Sequence, residues 1–63
     1  MPDYRLYFFE NGLDGPHIRT RDEFECADDD AAIEQALGRA DGRMMELWRG
    51  AVYLKGWPAK RQR

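Results

Sequence analysis

Apolar residues recur through "YRLYFF" (Tyr4 to Phe9) with a period of two. Tyr4, Leu6 and Phe8 share one parity; Arg5, Tyr7 and Phe9 share the other. Successive side chains of a strand point to opposite faces, so this run predicts a strand with rings on both. Such a strand is expected at the centre of a sheet, covered on both sides. "ENGLDGP" then breaks the pattern. Asn11-Gly12 and Asp14-Gly15 are turn dipeptides, and Pro16 cannot donate to a ladder, so a hairpin loop is expected here. "HIRTRDEFEC" follows as a polar second strand, with Ile18, Thr20, Asp22, Phe24 and Cys26 at one parity. Its charges suit an edge, where they discourage unwanted pairing.

The period changes in "ADDDAAIEQALGRADG". Ile33, Ala36, Leu37 and Ala40 follow the i, i+3, i+4, i+7 spacing of one helical stripe. Asp28 is the expected N-cap, because its short acceptor side chain can take free amide protons of the first turn. Asp29 and Asp30 fall in that turn, where the helix dipole favours negative charge, and Arg39 and Arg43 near the other end suit the opposite pole. Gly42 is a natural residue to close the helix. The stripe is alanine-rich, which lets a helix sit close to a sheet while burying little area.

"MMELWRGAVYLKGW" (Met44 to Trp57) returns to a period of two and reads as two strands around Arg49-Gly50. By parity, Met45, Leu47, Val52 and Leu54 meet the helix. Trp48, Tyr53 and Trp57 are expected on the open face. The element order is strand, strand, helix, strand, strand. If the helix crosses one face, inserting strand one between strands two and three keeps every pairing antiparallel. The expectation is a two-layer α+β domain, ββαββ, with one helix on a four-stranded antiparallel sheet of order 2-1-3-4.

Length and charge narrow the classes. Sixty-three residues allow one small domain, expected over residues 1–58, with residues 59–63 as a disordered basic tail. A chain this short hides only about 60% of its unfolded surface, so its core is marginal. Small domains are usually stapled by a disulfide, a metal or a partner chain. One cysteine, Cys26, excludes an internal disulfide, and one histidine, His17, gives a metal few ligands, which leaves oligomerisation or a well-made core of low stability. No apolar run approaches the roughly 20 residues that span a bilayer, and "MPDYRLYFF" does not read as a signal peptide, so a cytoplasmic protein without a membrane partner is expected. The net charge is −2, yet Lys60, Arg61 and Arg63 put +3 on the last four residues and leave −5 on the rest. An acidic body with a basic end is not the footprint of a dedicated nucleic-acid binder.

Candidate chemistry is sparse. No Ser-His-Asp or Cys-His set with a supporting motif, no phosphate-binding glycine loop and no paired cysteines occur. One helix on a small sheet leaves little room for a water-excluding pocket, so no catalytic, cofactor or metal residues are expected. His17 reads as an exposed hairpin residue. Cys26 reads as a buried structural thiol, since three following aspartates oppose a thiolate. "DDD" (Asp28 to Asp30) lacks the spaced ligands, bend glycine and closing glutamate of a calcium loop and fits capping.

The rings expected on the open face, Tyr7, Phe9, Trp48, Tyr53 and Trp57, are the most informative feature. They can simply shield a thin sheet. They can also form an interface, because aromatic residues are enriched at protein contacts and large exposed apolar patches normally mark one. A homodimer or a protein partner is therefore the expectation. The alternative is a single-stranded nucleic acid stacked on the rings, with Arg5, Arg49, Lys55 and the tail meeting phosphates.

The pattern "YRLYFFE…HIRTRDEFECADDDAAIEQA…GRMMELWRGA" resembles a group of short, uncharacterised bacterial proteins common in alphaproteobacteria. They share a "YRxYFxD…FxCxDDxxAIxxA…MELWxGA" pattern. The likeness runs from Tyr4 to Ala51, and "ECADD" and "MELWRGA" are its most specific pieces. The resemblance implies a fold and a cytoplasmic bacterial origin, and no catalytic residues. The longer first turn, "NGLDGPH", and the basic end depart from it. A looser likeness, resting on a "D-x-x-EA" helix start after a short sheet, is to the antitoxins of RNA-cleaving toxin pairs; it implies a regulatory binding module.

Overall fold

The computed structural model describes residues 2–12 and 14–59. The expected order of elements is present: β1 (Asp3–Gly12), β2 (Gly15–Glu25), α1 (Asp29–Gly38), β3 (Met44–Arg49) and β4 (Val52–Trp57). All strand pairings are antiparallel, and the sheet order is β2-β1-β3-β4. The fold is α+β, one helix on a four-stranded antiparallel sheet. The polar edge strand and the ring-bearing central strand take the positions that their sequences predict.

The core lies between α1 and one face of the sheet. Tyr4, Leu6 and Phe8 of β1 and Met45 and Leu47 of β3 are buried there, with Ala32 and Ala36 of the helix and Cys26 in the β2–α1 connection. Phe24, Ile33, Leu54 and Trp57 pack around this cluster. Tyr4 and Phe24 stack with ring centroids 6.0 Å apart. The Arg39 guanidinium covers Phe24 at 4.5 Å, and that of Arg43 covers Phe8 at 4.8 Å. Two arginines thus close the rim of the core with apolar stems and ring contacts, each also paired to carboxylates: Arg39 to Asp22 at 3.5 Å, and Arg43 to Asp41 at 2.7 Å.

The helix is shorter than its pattern and rotated from it. Asp28 is the N-cap, its carboxylate accepting from the Ala31 amide at 2.9 Å, but the helix ends at Gly38 with Arg39 as C-cap. Ala40 and Gly42 lie beyond it. Ala32 and Ala36 are buried, whereas Leu37 is 52% exposed. The large side chains of β1 and β3 already fill the core, so the helix docks through methyl groups and turns its leucine outward.

Two bulges redistribute side chains. Phe8 pairs with Thr20 but Phe9 with Ile18, leaving Arg19 as the extra residue. Ile18 is therefore on the opposite face from Thr20, Asp22 and Phe24, and is 57% exposed. In β4, Trp48 pairs with Tyr53 but Leu47 with Lys55, leaving Leu54 extra. Beyond that point parity is reversed, and Trp57 pairs with Met45 on the helix side. The β3–β4 hairpin closes through Gly50-Ala51, with Gly50 at φ 56°, the left-handed value that the first position of a type II′ turn requires. No helix among the described residues is long and apolar enough to cross a membrane. Residues 60–63 of the expected basic tail lie outside the described residues.

Candidate interaction face

Pairing fixes which residues share the sheet face turned away from the helix, because directly opposed residues of neighbouring strands point the same way. Three rows result. Glu23, Arg5, Trp48 and Tyr53 form the first. Arg21, Tyr7, Glu46 and Gly56 form the second. Ile18, Phe9 and Met44 form the third. Among the described residues no helix or strand covers this face. β1 is thus central but packed on one side only, which corrects the expectation of cover on both.

Four of the five expected interface rings, Tyr7, Phe9, Trp48 and Tyr53, lie on this face. The fifth, Trp57, does not. The bulge at Leu54 carries it to the helix side, where it packs against the core and lies 5.9 Å from the Lys55 ammonium. Ile18, which parity placed on the other face, is on the open face, and Met44, which shares the parity of Trp48, joins it there. Ile18 could be found only by locating the bulge. Met44 was recognisable from its parity with Trp48 but was overshadowed by the rings.

Within the face the side chains are organised. Trp48 and Tyr53 meet edge to face, 5.5 Å apart at 73°. The Trp48 indole donates from Nε1 to Glu46 Oε1 at 3.1 Å. The Tyr53 hydroxyl lies where a β-carbon on Gly56 would sit, so the ring spreads over the glycine and covers the bare backbone. Glu23 sits between Arg5 at 3.6 Å and Arg21 at 3.4 Å, and both arginines are half-exposed. Tyr7 and the Glu23 charge raise the Arg5 pKa further above an already high value, and an arginine is charged throughout the physiological range.

A second polar cluster lies on the opposite face. Asp29, in the first turn of α1, accepts from the Tyr4 hydroxyl at 2.8 Å and from Arg49 Nη1 at 2.7 and 2.6 Å. Arg49 holds the Asp29 carboxyl below the usual carboxylate range, with Tyr4 adding to the effect. Burial, and then the Asp29 carboxylate, push the Tyr4 phenol up. The cluster ties the helix start to the ends of β1 and β3. Sequence reading assigned Asp29 to the helix dipole alone; nothing local links it to residues 25 and 20 positions away.

The remaining expected chemistry is dispersed. His17 is exposed, with Nε2 2.8 Å from Asp14 on the same hairpin, and Cys26 is buried. Among the described residues no group of three or more His, Cys, Asp or Glu side chains is placed to hold a metal ion. Arg49 and Lys55, the cations assigned to phosphates beside the rings, both lie on the helix side. Comparison with protein-family models, curated proteins and solved structures returns no match.

Proposed function

We propose that this protein is a non-catalytic interaction module that associates with a second copy of itself through the open sheet face. The observation that carries the reading is the composition of that face. Tyr7, Phe9, Met44, Trp48, Tyr53 and Ile18 lie on it together, set among charges of both signs. Aromatic residues, methionine and arginine are the types enriched at protein contacts. A mixed-charge face favours a protein surface over a polyanion, and a self-complementary partner above all. The nucleic-acid alternative is less favoured, because Arg49 and Lys55 turn away from the rings and the two cations beside them, Arg5 and Arg21, are both paired to Glu23.

The test is solution mass by light scattering across a dilution series. A Trp57→Phe variant makes Trp48 the sole tryptophan and lets its fluorescence report on the open face. A dimer at high concentration, with Trp48 emission moving to the red as it dissociates, is the expected result. Trp48→Ala should raise the dissociation constant about tenfold or more, as central aromatic contacts do, while His17→Ala leaves it unchanged. A monomer at every concentration would overturn the reading.

A further inference from the structure

We infer that the two copies stack face to face about a two-fold axis that runs parallel to the strands, midway between β1 and β3. The inference rests on the self-association reading and adds its geometry. In a two-fold interface, residue i meets residue j and j meets i. Rotation about an axis parallel to the strands keeps every residue at its own level and reverses the lateral order. The row order β2-β1-β3-β4 then faces β4-β3-β1-β2 of the partner.

The three rows are complementary under this operation. Arg5 of β1 comes over the partner's Trp48, a guanidinium on an indole face. Tyr7 comes over the partner's Glu46, a phenol donor on a carboxylate. Phe9 comes over the partner's Met44, a ring on a thioether. Each pair occurs twice. Arg21 stands beside Tyr7 on β2, and Arg5 stands one row away on β1, so both cations reach towards the partner's Glu46. Glu23 falls over the partner's Tyr53, whose hydroxyl reaches into the Gly56 row and so comes towards Arg21. Packed sheets cross at about 30°, which displaces outer rows most and leaves the β1–β3 pairs nearest the axis opposed.

The other in-plane two-fold, across the strands, stacks β1 on β1 and β3 on β3. It sets Glu46 against β3 itself, whose open-face residues Met44, Glu46 and Trp48 include no cation, so this carboxylate has none directly opposite. The flat side of the molecule measures 38 by 23 Å, room for a patch near the ~800 Å² per partner of a standard specific interface.

Charge exchange tests the axis. Arg21→Glu places a carboxylate near the partner's Glu46, and Glu46→Arg places a guanidinium near the partner's Arg21. Each single variant should dissociate about tenfold more readily than the wild type. Mixed one to one, the two variants recreate an opposite-charge contact between the exchanged positions. The heterodimer should form within about threefold of the wild-type dissociation constant. Circular dichroism confirms folding of each variant. Glu46→Gln, which keeps an acceptor for the Trp48 indole, should weaken the dimer several-fold by charge loss alone. If the wild type dimerises and the mixture stays monomeric, the axis is wrong while the face reading stands. Single variants that dimerise as tightly as the wild type also refute the axis. A monomeric wild type overturns both.

Discussion

Leu47 and Trp48 are neighbours in β3 that face opposite ways, and truncating each should produce a different kind of defect. Leu47 is fully buried among Tyr4, Leu6, Phe8, Met45 and the helix alanines. Removing its side chain costs the transfer free energy of the lost atoms plus that of the cavity, about 2–5 kcal/mol in a well-packed core. The surrounding groups cannot collapse easily, because Ala32 and Ala36 already hold the helix close to the sheet. A domain of this size is stabilised by only about 3–5 kcal/mol. Taking about 4 for the wild type and about 3 for the loss leaves about 1 kcal/mol, or roughly one molecule in six unfolded. Trp48 is half-buried and packs edge to face on Tyr53 but has one side open, so Trp48→Ala leaves no closed cavity and should cost about 1–2 kcal/mol of monomer stability. Urea denaturation followed by circular dichroism, at a concentration low enough to keep the chain monomeric, separates the two. With a slope near 1 kcal/mol/M, Leu47→Ala should lower the midpoint by about 3 M and Trp48→Ala by about 1–2 M. Equal shifts, or a larger one for Trp48→Ala, would refute the assignment of the two faces.

Two other outcomes follow from single contacts. Because the Asp29 carboxyl has a depressed pKa in the folded chain, its contribution to stability is complete above the ordinary carboxylate value of about 4 and is lost as pH falls towards the folded value. Asp29→Asn should therefore lower stability at neutral pH and flatten the acid limb of a stability–pH profile; a parallel profile would show that the clamp carries no linked proton. Gly56→Ala puts a methyl group where the Tyr53 hydroxyl lies, so the ring must swing away from the glycine. Near-ultraviolet circular dichroism should lose the Trp48–Tyr53 signal while the far-ultraviolet spectrum is retained, and an unchanged aromatic spectrum would count against this packing.

Much of the architecture was legible because it rests on strong local signals. The alternation in Tyr4 to Phe9, the turn dipeptides after it and the capping Asp28 each specify an element within a few residues. The order of the sheet follows from them by avoiding a parallel pairing. What could not be read depends on partners distant in sequence. A bulge adds one residue to a strand against its neighbour, and only the neighbour shows where. Nothing in "AVYLKGW" marks Leu54 as the extra residue, yet it decides whether Trp57 faces outward or inward. "HIRTRDEF" alternates too weakly to resist a slip at Arg19, and Ile18 changes face as a result. The helix stripe failed for another reason. Leu37 fits the spacing as well as Ala32 does, and volume decides between them once Tyr4, Leu6, Phe8, Met45 and Leu47 occupy the core. Similarly, Asp29 resembles its neighbouring aspartates until β1 and β3 bring Tyr4 and Arg49 to it.

The bulges give the two faces different characters, and that bears on why such a chain would pair. Trp57 turned inward adds a large ring to a core whose helix contributes mainly methyl groups. Ile18 turned outward extends the open face along the first hairpin. The core gains where it is thin, and the exposed face becomes more apolar. β1 and β3 carry both surfaces: Leu6, Phe8, Met45 and Leu47 on one side, Tyr7, Phe9, Met44 and Trp48 on the other. In the proposed dimer the same two strands are packed on both sides, and the pattern of rings at both parities in "YRLYFF" has its physical explanation. A second copy then supplies the staple that a chain with one cysteine and one histidine does not build internally. Association and folding become linked, because a ligand that binds only the folded state stabilises it by mass action, and here the ligand is the protein itself.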